Sequence, residues 1–311
     1  MKFADPKNDV AFKKIFGDEN KKEILISFLN NILDFAGTKK EIADIMIANP
    51  YQVPKLEGLK YSILDIKALD KRGIHYIIEM QVLHTEALEK RVLYYTSKAY
   101  IQQLNRAEEY PKLNQVIFLG FLDFTFFDNN PAYASRHLIL DEKTHEHVFK
   151  DFELNFVELP KFDKDLDHLD NVKDKWIYFV KNAGDMKIIP EQMKSPKEIV
   201  EAFEVANEHT WSQEELDAYD AKGIFIADQR QGYIYAQKQG LAEGKAEGLA
   251  EGLAKGMSEG KVEGKAEGLA EGEKNKALEI ARKLKEKGMD PDFICETTGL
   301  RKDEISQVIG G

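Results

Sequence analysis

The sequence predicts a mixed α/β domain, a helical extension, a repeat with glycine at every fourth position and a small C-terminal helical domain. Before Gly240, segments with the apolar spacing of helices alternate with segments that have the alternating or continuous apolar content of strands. From Gly240 to Gly272, glycine recurs at a strict spacing of four, and ordinary helical punctuation returns at Glu273. The first pattern indicates a packed α/β core, and the second marks where that core has ended.

Chain length and this change in composition predict four segments. At 311 residues the chain exceeds one minimal domain, since roughly 150 residues per domain is a usual prior. Hydrophobic residues make up 43% of the chain, which is enough for at least one sizeable core. The boundaries that we predict are 1–190 for the α/β core, 191–239 for the helical extension, 240–272 for the glycine repeat and 273–311 for the C-terminal segment.

The elements of the core follow from apolar spacing. Apolar stripes predict helices over Asp9–Phe16, Lys21–Phe35, Glu86–Asn105 and Val172–Asn182. Strand patterns predict a hairpin over Ser62–Val82, a buried strand over Val116–Phe124 and one or more strands within Arg136–Leu159. Two further helices are predicted to open with capping boxes, one at Ser195 and one at Ser212, because each serine precedes a glutamate by three residues.

The glycine repeat has two interpretations. A typical unit is Gly248-Leu249-Ala250-Glu251, and nine such glycines would destabilise a helix by on the order of 9 kcal/mol relative to alanine. An isolated helix is therefore doubtful. The same spacing also suits a helix whose small face lets another backbone come close. A spacer and a crossing oligomerisation helix both stay open.

The C-terminal segment has the outline of a helix-turn-helix. An apolar stripe ends at Gly288, Asp290 and Pro291 open a second helix, and Asp303–Ile309 forms a third. A helix, a short turn with glycine and a helix are typical of DNA-binding helix-turn-helix motifs. A small capping or oligomerising bundle is an equal alternative, since only two basic residues lie near the predicted recognition helix, Arg301 and Lys302.

Composition excludes several classes of protein. The longest apolar run, Val116–Leu122, is far shorter than the roughly 20 residues of a membrane-spanning helix. The first residues lack an apolar signal segment, and the single cysteine, Cys295, rules out an internal disulfide and a zinc-finger cluster. We therefore expect a cytoplasmic, reduced protein. The net charge of −11 disfavours a histone-like DNA coat, because non-specific DNA affinity comes mainly from phosphate neutralisation.

The predicted hairpin carries the most informative pattern. Asp70 and Gly73 suit the first and fourth positions of a type I turn. With Gly73 in the left-handed region, the turn becomes a three-residue loop with a bulge. That register pairs Asp70 with Ile74, and therefore Asp65 with Glu79.

The two faces of the hairpin differ in chemistry. Period-two alternation predicts one almost wholly apolar face, with Leu64, Ile66, Ala68, Ile74, Tyr76, Ile78, Met80 and Val82. The opposite face carries Asp65, Lys67, His75, Glu79 and Gln81. Opposed carboxylates repel each other, and a hard divalent cation with oxygen ligands would offset that repulsion. The alternative is a solvated polar face on which Lys67 bridges the two acids.

These residues resemble a known family. Asp65, a hairpin turn and then Glu79-Met80-Gln81 are similar to the core of the PD-(D/E)XK nucleases. Residues Asp5–Gly17 before the hairpin and Arg91–Tyr95 after it resemble the Rpn family, which comprises recombination-promoting nucleases that are also described as transposases. The four-residue repeat and an ending similar to Gly-Met-x-x-x-x-Ile-x-x-x-Thr-Gly-Leu recur in members of that family, so the resemblance covers nearly the whole chain.

The resemblance implies a fold and an activity. The fold is a PD-(D/E)XK restriction-endonuclease-like core, in which helices flank a mixed central sheet. The activity is cleavage of double-stranded DNA with Mg²⁺ or Mn²⁺, linked to recombination or to conflict with mobile elements and phages. Asp65 and Glu79 would hold the metal, the main-chain carbonyl of Met80 would be a further ligand, and Asp9 matches the auxiliary acid often found on the first helix.

The resemblance also exposes a departure. The usual lysine of the superfamily is replaced by Gln81, which can orient a water but supplies no positive charge. Candidate sources of that charge are Lys67 and Arg91. Tyr95 shares a helical face with Arg91 and could meet the active site. Candidate DNA contacts are Lys13, Lys98, Arg301 and Lys302.

Two functions follow as hypotheses. The leading one is a metal-dependent DNA endonuclease, and a homodimer is favoured because cutting both strands needs two active sites or two visits. The alternative is a non-catalytic DNA-binding or assembly protein that retains a weakened nuclease fold. The missing lysine favours the alternative, whereas the Asp65–Glu79 pairing favours the enzyme.

Overall fold

The computed structural model describes residues 1–52, 62–105 and 108–309. The chain forms two compact units, Met1–Gln231 and Gly232–Gly311. The helices are α1 Asp9–Phe16, α2 Lys22–Ile32, α3 Leu88–Ile101, α4 Val172–Asn182, α5 Lys197–Ala206, α6 Gln213–Glu286, α7 Pro291–Thr298 and α8 Lys302–Ile309. The strands are β1 Ile45–Ala48, β2 Tyr51–Gln52, β3 Ser62–Ile63, β4 Ile66–Asp70, β5 His75–Gln81, β6 Val116–Leu122, β7 Ala134–Leu138 and β8 Phe152–Glu158.

A mixed sheet forms the centre of the first unit, as the sequence predicts. Among the described residues, the strand order is β1-β4-β5-β6-β8-β7, and β2 pairs separately with β3. The central strands β5, β6 and β8 run parallel, whereas β1, β4 and β7 join antiparallel. Every residue of β6 is buried, which explains its continuous apolar sequence, because a central parallel strand is covered on both faces.

Helices cover both faces of this sheet. On one face, Phe16 of α1, Phe28 of α2 and Trp176 of α4 form an aromatic core with Phe121 of β6. The Phe16 and Phe28 rings lie 4.3 Å apart, and Phe28 meets Trp176 at 5.5 Å. On the other face, α3 packs Leu88 and its neighbours onto a second, smaller core. Strand β5 of the hairpin therefore lies between two hydrophobic layers.

The predicted register of the hairpin is confirmed. Ile66 lies opposite Ile78, as the three-residue loop requires. Gly73 has a φ of +82°, in the left-handed region, and its N–H donates to the Asp70 carbonyl at 3.0 Å. The local chemistry of the turn thus sets the pairing of the two strands.

The predicted faces need one correction. Leu64 packs with Ile77 in the second core, not with the apolar face of the hairpin. The chain bends at Asp65 between β3 and β4, so the two-residue alternation does not extend back through Leu64. The polar face is not solvated either, since α3 covers it and Glu79 is only 5% exposed.

One of the two predicted capping boxes is present. The Ser212 N–H donates to Glu215 Oε2 at 2.9 Å, and the Glu215 N–H donates back to Ser212 Oγ at 3.3 Å. The prediction at Ser195 is wrong. Pro196 occupies the N-cap position of α5 and offers no side-chain acceptor, so Ser195 lies one residue too early to cap the helix.

The glycine repeat is helical, and it is not an isolated helix, because α6 continues through it. Extending an existing helix avoids the unfavourable nucleation step, and the Ala, Leu, Lys and Glu residues between the glycines are strong helix formers. A Cβ built at any glycine from Gly240 to Gly272 would meet no atom within 4 Å. Within the described chain, nothing packs on the glycine stripe.

The C-terminal unit follows the predicted outline. α7 begins after Asp290, whose side chain accepts from the Asp292 N–H, and has Pro291 in its first turn. Ala281, Ile294, Leu300 and Ile305 form a small core. In the part of the chain that the structure describes, no helix combines the length and apolar character needed to cross a membrane.

Candidate active site

Two acidic side chains meet at the open end of the hairpin. Asp65 lies at the bend before β4, and Glu79 lies on β5. The Asp65 N–H donates to Glu79 Oε1 at 3.2 Å, and the Met80 N–H donates to Asp65 Oδ2 at 2.9 Å. Each carboxyl group thus accepts a hydrogen bond from the main chain of the other segment. The structure brings together the pair that the register predicts.

Burial and mutual repulsion disturb the ionisation of both acids. Burial, and then the negative charge of Asp65, raise the pKa of Glu79 to about 8. Burial also raises the pKa of Asp65, although the neighbouring Lys13 opposes this shift. Without a cation, Glu79 is therefore mostly protonated at neutral pH.

A lysine from the first helix reaches these acids. Lys13 Nζ lies 3.2 Å from Asp65 Oδ1 and 4.0 Å from Asp9 Oδ2. We predicted Lys13 as a DNA contact, and the structure places it beside the carboxyl pair. The spacing of Asp9 and Lys13 offered a signal for this position, because residues four apart share one face of a helix.

Asp9 links two helices and has one unused oxygen. Its Oδ2 lies 3.0 Å from Nζ of Lys222, which belongs to α6. Its Oδ1 is buried and has no hydrogen-bond partner in the described part of the chain. A buried carboxylate oxygen without a donor is unfavourable, so this atom is available to a cation or a water.

The side chain of Gln81 forms hydrogen bonds with both Glu79 and Arg91. Its Nε2 donates to Glu79 Oε2 at 3.0 Å, and the guanidinium of Arg91 donates to its Oε1. The two contacts fix both the position and the flip of the Gln81 amide. Tyr95 lies one helical turn from Arg91, and burial together with the charge of Glu79 raises the pKa of its hydroxyl.

These side chains line one cleft of about 340 Å³. Three helices and the hairpin contribute to it, and the residues with polar groups that the chemistry can use are Asp9, Asp65, Glu79, Gln81, Arg91, Tyr95 and Lys222. Phe225 and Ile226 of α6 form an apolar part of its wall. The sequence reasoning missed the α6 residues, because no spacing within the chain relates them to the hairpin.

The structure does not bring every predicted residue to the cleft. Lys67 lies opposite Ile77, and no ion pair between it and either acid occurs among the described residues, so the structure does not show the bridge and the catalytic role of Lys67 stays a prediction. Its charge acts near the turn end of the hairpin, where burial and then Lys67 lower the pKa of His75 to about 4.

The predicted DNA contacts outside the cleft have different surroundings. Lys98 is only 7% exposed, and its Nζ lies 5.5 Å from the centre of the Tyr94 ring, which is at odds with binding a DNA backbone. Arg301 and Lys302 are exposed on the C-terminal unit. Lys302 forms an ion pair with Asp292, and Arg301 lies 3.7 Å from Glu304.

The residues of the cleft fit a divalent cation through oxygen ligands. Within residues 1–52, 62–105 and 108–309, no three His, Cys, Asp or Glu side chains form a ready-made metal site. The donor set nevertheless suits a hard cation, since two carboxyl groups with raised pKa values line the same cleft as Asp9, whose Oδ1 has no partner among the described residues. A cation would relieve the repulsion between Asp65 and Glu79.

The fold and the paired acids define a nuclease-type α/β core. Residues 6–236 match the PD-(D/E)XK nuclease family transposases, and residues 274–309 match the C-terminal helix-turn-helix domain of the Rpn/YhgA-like nuclease family. The first match covers more than half of the chain, which therefore belongs to the PD-(D/E)XK nuclease family transposases. No curated protein and no solved structure shows significant similarity to the chain.

Proposed function

We propose that the protein is a DNA endonuclease that uses Mg²⁺ or Mn²⁺ to hydrolyse phosphodiester bonds. The observation that carries this proposal is the buried Asp65–Glu79 pair, in which both pKa values are raised and Asp65 contacts Lys13. Two opposed carboxyl groups repel each other and destabilise a sheet, so a purely structural role does not explain this pair. Perturbed acids in a cleft are typical of functional sites.

The residues of the cleft divide the work of hydrolysis. Asp65 and Glu79 would hold the cation, with the carbonyl of Met80 as a further ligand and Asp9 as the auxiliary acid. When bound, such a cation polarises a phosphate and lowers the pKa of a coordinated water. Gln81, fixed between Glu79 and Arg91, orients the attacking water through its amide.

Lys13 supplies the charge that Gln81 lacks. Its ammonium group lies 3.2 Å from Asp65, on a different element from the one that carries the superfamily's lysine. Preorganised positive charge stabilises the negative charge that develops on a phosphate during attack. Lys13 therefore acts as the electrostatic partner of the scissile phosphate. Arg91 and Tyr95, both on α3, are the auxiliary residues of the cleft, and Arg91 holds Gln81 in place.

The C-terminal unit docks the enzyme on DNA. Its match to a helix-turn-helix domain and the exposed Arg301 and Lys302 support this assignment. A homodimer would supply two active sites for the two strands, and the glycine stripe of α6 is a surface on which a second copy could pack. Recombination or conflict with mobile elements is the biological setting that we infer from the family.

The direct test is cleavage of plasmid DNA by the purified full chain. We expect nicked and linear products with Mg²⁺ or Mn²⁺, none with EDTA, and a loss of about 10³-fold in Asp65→Asn, the scale of removing a group that stabilises transition-state charge. Asn keeps an acceptor for the Met80 N–H, so the variant should fold. Binding of DNA without metal-dependent cleavage would support the non-catalytic DNA-binding protein instead, which the absence of a lysine at Gln81 favours.

Replacing Gln81 should separate turnover from metal binding. In Gln81→Ala we expect kcat to fall by about 10²-fold, on the scale of general acid–base and positioning effects, because the water loses its orienting amide. The midpoint of the metal titration should change by less than about threefold, since Asp65 and Glu79 remain. Steady-state kinetics across a metal titration measure both quantities. A large shift in the midpoint with unchanged kcat would contradict the role of Gln81.

A further inference from the structure

The first turns of α6 are fixed against the first helix of the core. The Asp5 N–H donates to the Tyr219 hydroxyl at 2.9 Å, and the Asn8 side-chain amide donates to the Tyr219 carbonyl at 3.0 Å. Lys14 of α1 also forms an ion pair with Glu215 of α6. These contacts lie within the first unit, and they set which face of α6 meets the cleft.

That docking puts a cation into the wall of the cleft. Lys222 lines it, with a side chain that is 35% exposed and an ammonium group 3.0 Å from Asp9 Oδ2. The ring of Phe225, which is 54% exposed, lies 5.3 Å from the same ammonium group. Asp9 and Phe225 thus hold Lys222 near the mouth of the cleft while leaving it accessible.

The acidic charge of the cleft suggests a role for the ammonium group of Lys222. Asp9, Asp65 and Glu79 together would repel an incoming phosphodiester. Lys13 pairs with Asp65 but does not line the cleft, whereas Lys222 pairs with Asp9 and lines the cleft itself. An accessible ammonium at a cleft that takes nucleic acid can neutralise one phosphate.

We propose that Lys222 is a substrate-binding residue, which contacts a phosphate of the DNA strand next to the scissile one. This inference rests on the proposed nuclease function. It gives α6 a second task beyond leading to the C-terminal unit, namely to supply one wall of the substrate cleft. The competing explanation is that the Lys222–Asp9 pair only fastens α6 to α1.

Two lysines take part in the ion pairs between α1 and α6, and replacing each in turn separates these explanations. Lys14→Ala removes one ion pair between α1 and α6 without touching the cleft, and Lys222→Ala removes the other. We expect Lys222→Ala to weaken DNA binding about tenfold, the scale of one charge-assisted contact, whereas Lys14→Ala should bind like the parent chain. Lys222→Arg should keep the parent affinity, because it retains the charge.

The salt dependence of binding supplies a readout that a purely structural role would not move. DNA affinity is measured by fluorescence anisotropy on a duplex oligonucleotide, in the Asp65→Asn background, across a series of salt concentrations. Log affinity falls linearly with log salt, and loss of one phosphate contact should make this negative slope shallower by about 0.9 in Lys222→Ala and leave it unchanged in Lys14→Ala. An unchanged slope in Lys222→Ala, or an equal loss in both variants, would overturn the proposal.

Cleavage assays keep the two proposals distinguishable. If the parent chain cuts DNA and Lys222→Ala raises KM with kcat within about twofold, both proposals stand. If the parent chain binds but never cuts, the nuclease function fails, and the anisotropy series still decides whether Lys222 contacts phosphate. If the parent chain cuts and Lys222→Ala matches it in KM and salt slope, only the inference about Lys222 fails.

Discussion

Glu79→Gln should abolish metal-dependent cleavage and stabilise the metal-free protein at alkaline pH. Glutamine has nearly the same shape, so no cavity forms, and it keeps an oxygen to accept from the Asp65 N–H, but it loses the bond that Glu79 Oε2 accepts from Gln81. It carries no charge that burial and Asp65 could oppose. The gain in the free energy of unfolding should reach on the order of a few kcal/mol above pH 8, because each unit of pKa shift corresponds to about 1.4 kcal/mol.

The sign of this effect follows from proton linkage. The folded-state pKa of Glu79, about 8, lies above its ordinary value of 4.5. Its contribution to stability is therefore fully present below pH 4.5 and is lost as the pH rises to 8. Glutamine loses nothing over that range. The difference in Tm between the variant and the parent chain should be small near pH 4.5 and largest above pH 8.

Calorimetry of the metal-free proteins across this pH range checks the prediction. Added Mg²⁺ or Mn²⁺ should raise the Tm of the parent chain and have much less effect on Glu79→Gln, since ligand-induced stabilisation depends on binding. Glu89→Gln, at an exposed position at the start of α3, is the matched control and should leave the profile unchanged. A Tm difference that does not vary with pH would show that ionisation of Glu79 does not destabilise the folded protein.

Lys13→Ala should lower kcat by about 10²-fold or more, the effect of removing one group that stabilises transition-state charge. Metal-induced stabilisation should persist, because both acids remain. Without Lys13, which counteracts the effect of burial, the pKa of Asp65 should rise further, and the metal titration should shift to higher pH. Single-turnover cleavage and metal-dependent melting measure the two effects separately.

A double variant makes this second prediction specific. Gln81→Lys alone should retain or raise activity, since it restores the charge that the wider superfamily uses at this position. In the Lys13→Ala background, it should recover most of the lost kcat if Lys13 does the work of the missing lysine. A normal kcat in Lys13→Ala would remove Lys13 from the mechanism, and a lowered kcat that Gln81→Lys does not recover would show that Lys13 does not replace the missing lysine.

Local sequence signals predicted the parts of the site that depend on local geometry. Asp70 and Gly73 fix the turn, and the turn fixes the register that brings Asp65 to Glu79. The α/β class followed in the same way from the apolar content of strands and helices. These features depend on residues close together in the chain, whose steric and hydrogen-bonding preferences can be read directly.

Contacts between distant elements were beyond such reasoning. Lys13 and Lys222 reach the acids because α1 and α6 dock on each other and beside the hairpin, which depends on how the whole core packs. The predicted face of Leu64 failed for the opposite reason. Strand alternation placed Leu64 on the apolar face with Ile66, but a single bend in the backbone at Asp65 broke that alternation. A pattern rule holds only as far as the regular element that it assumes.

The glycine repeat of α6 has a consequence for how such a chain can evolve. Residues 232–276 are all exposed, and no described atom would meet a side chain grown from the stripe. One repeat unit corresponds to four codons, so slippage during replication can insert or delete a whole unit in frame. Each such event changes the helix by about 6 Å of rise and leaves no cavity or clash behind. The repeat is thus a stretch in which length can vary between generations without a penalty in packing.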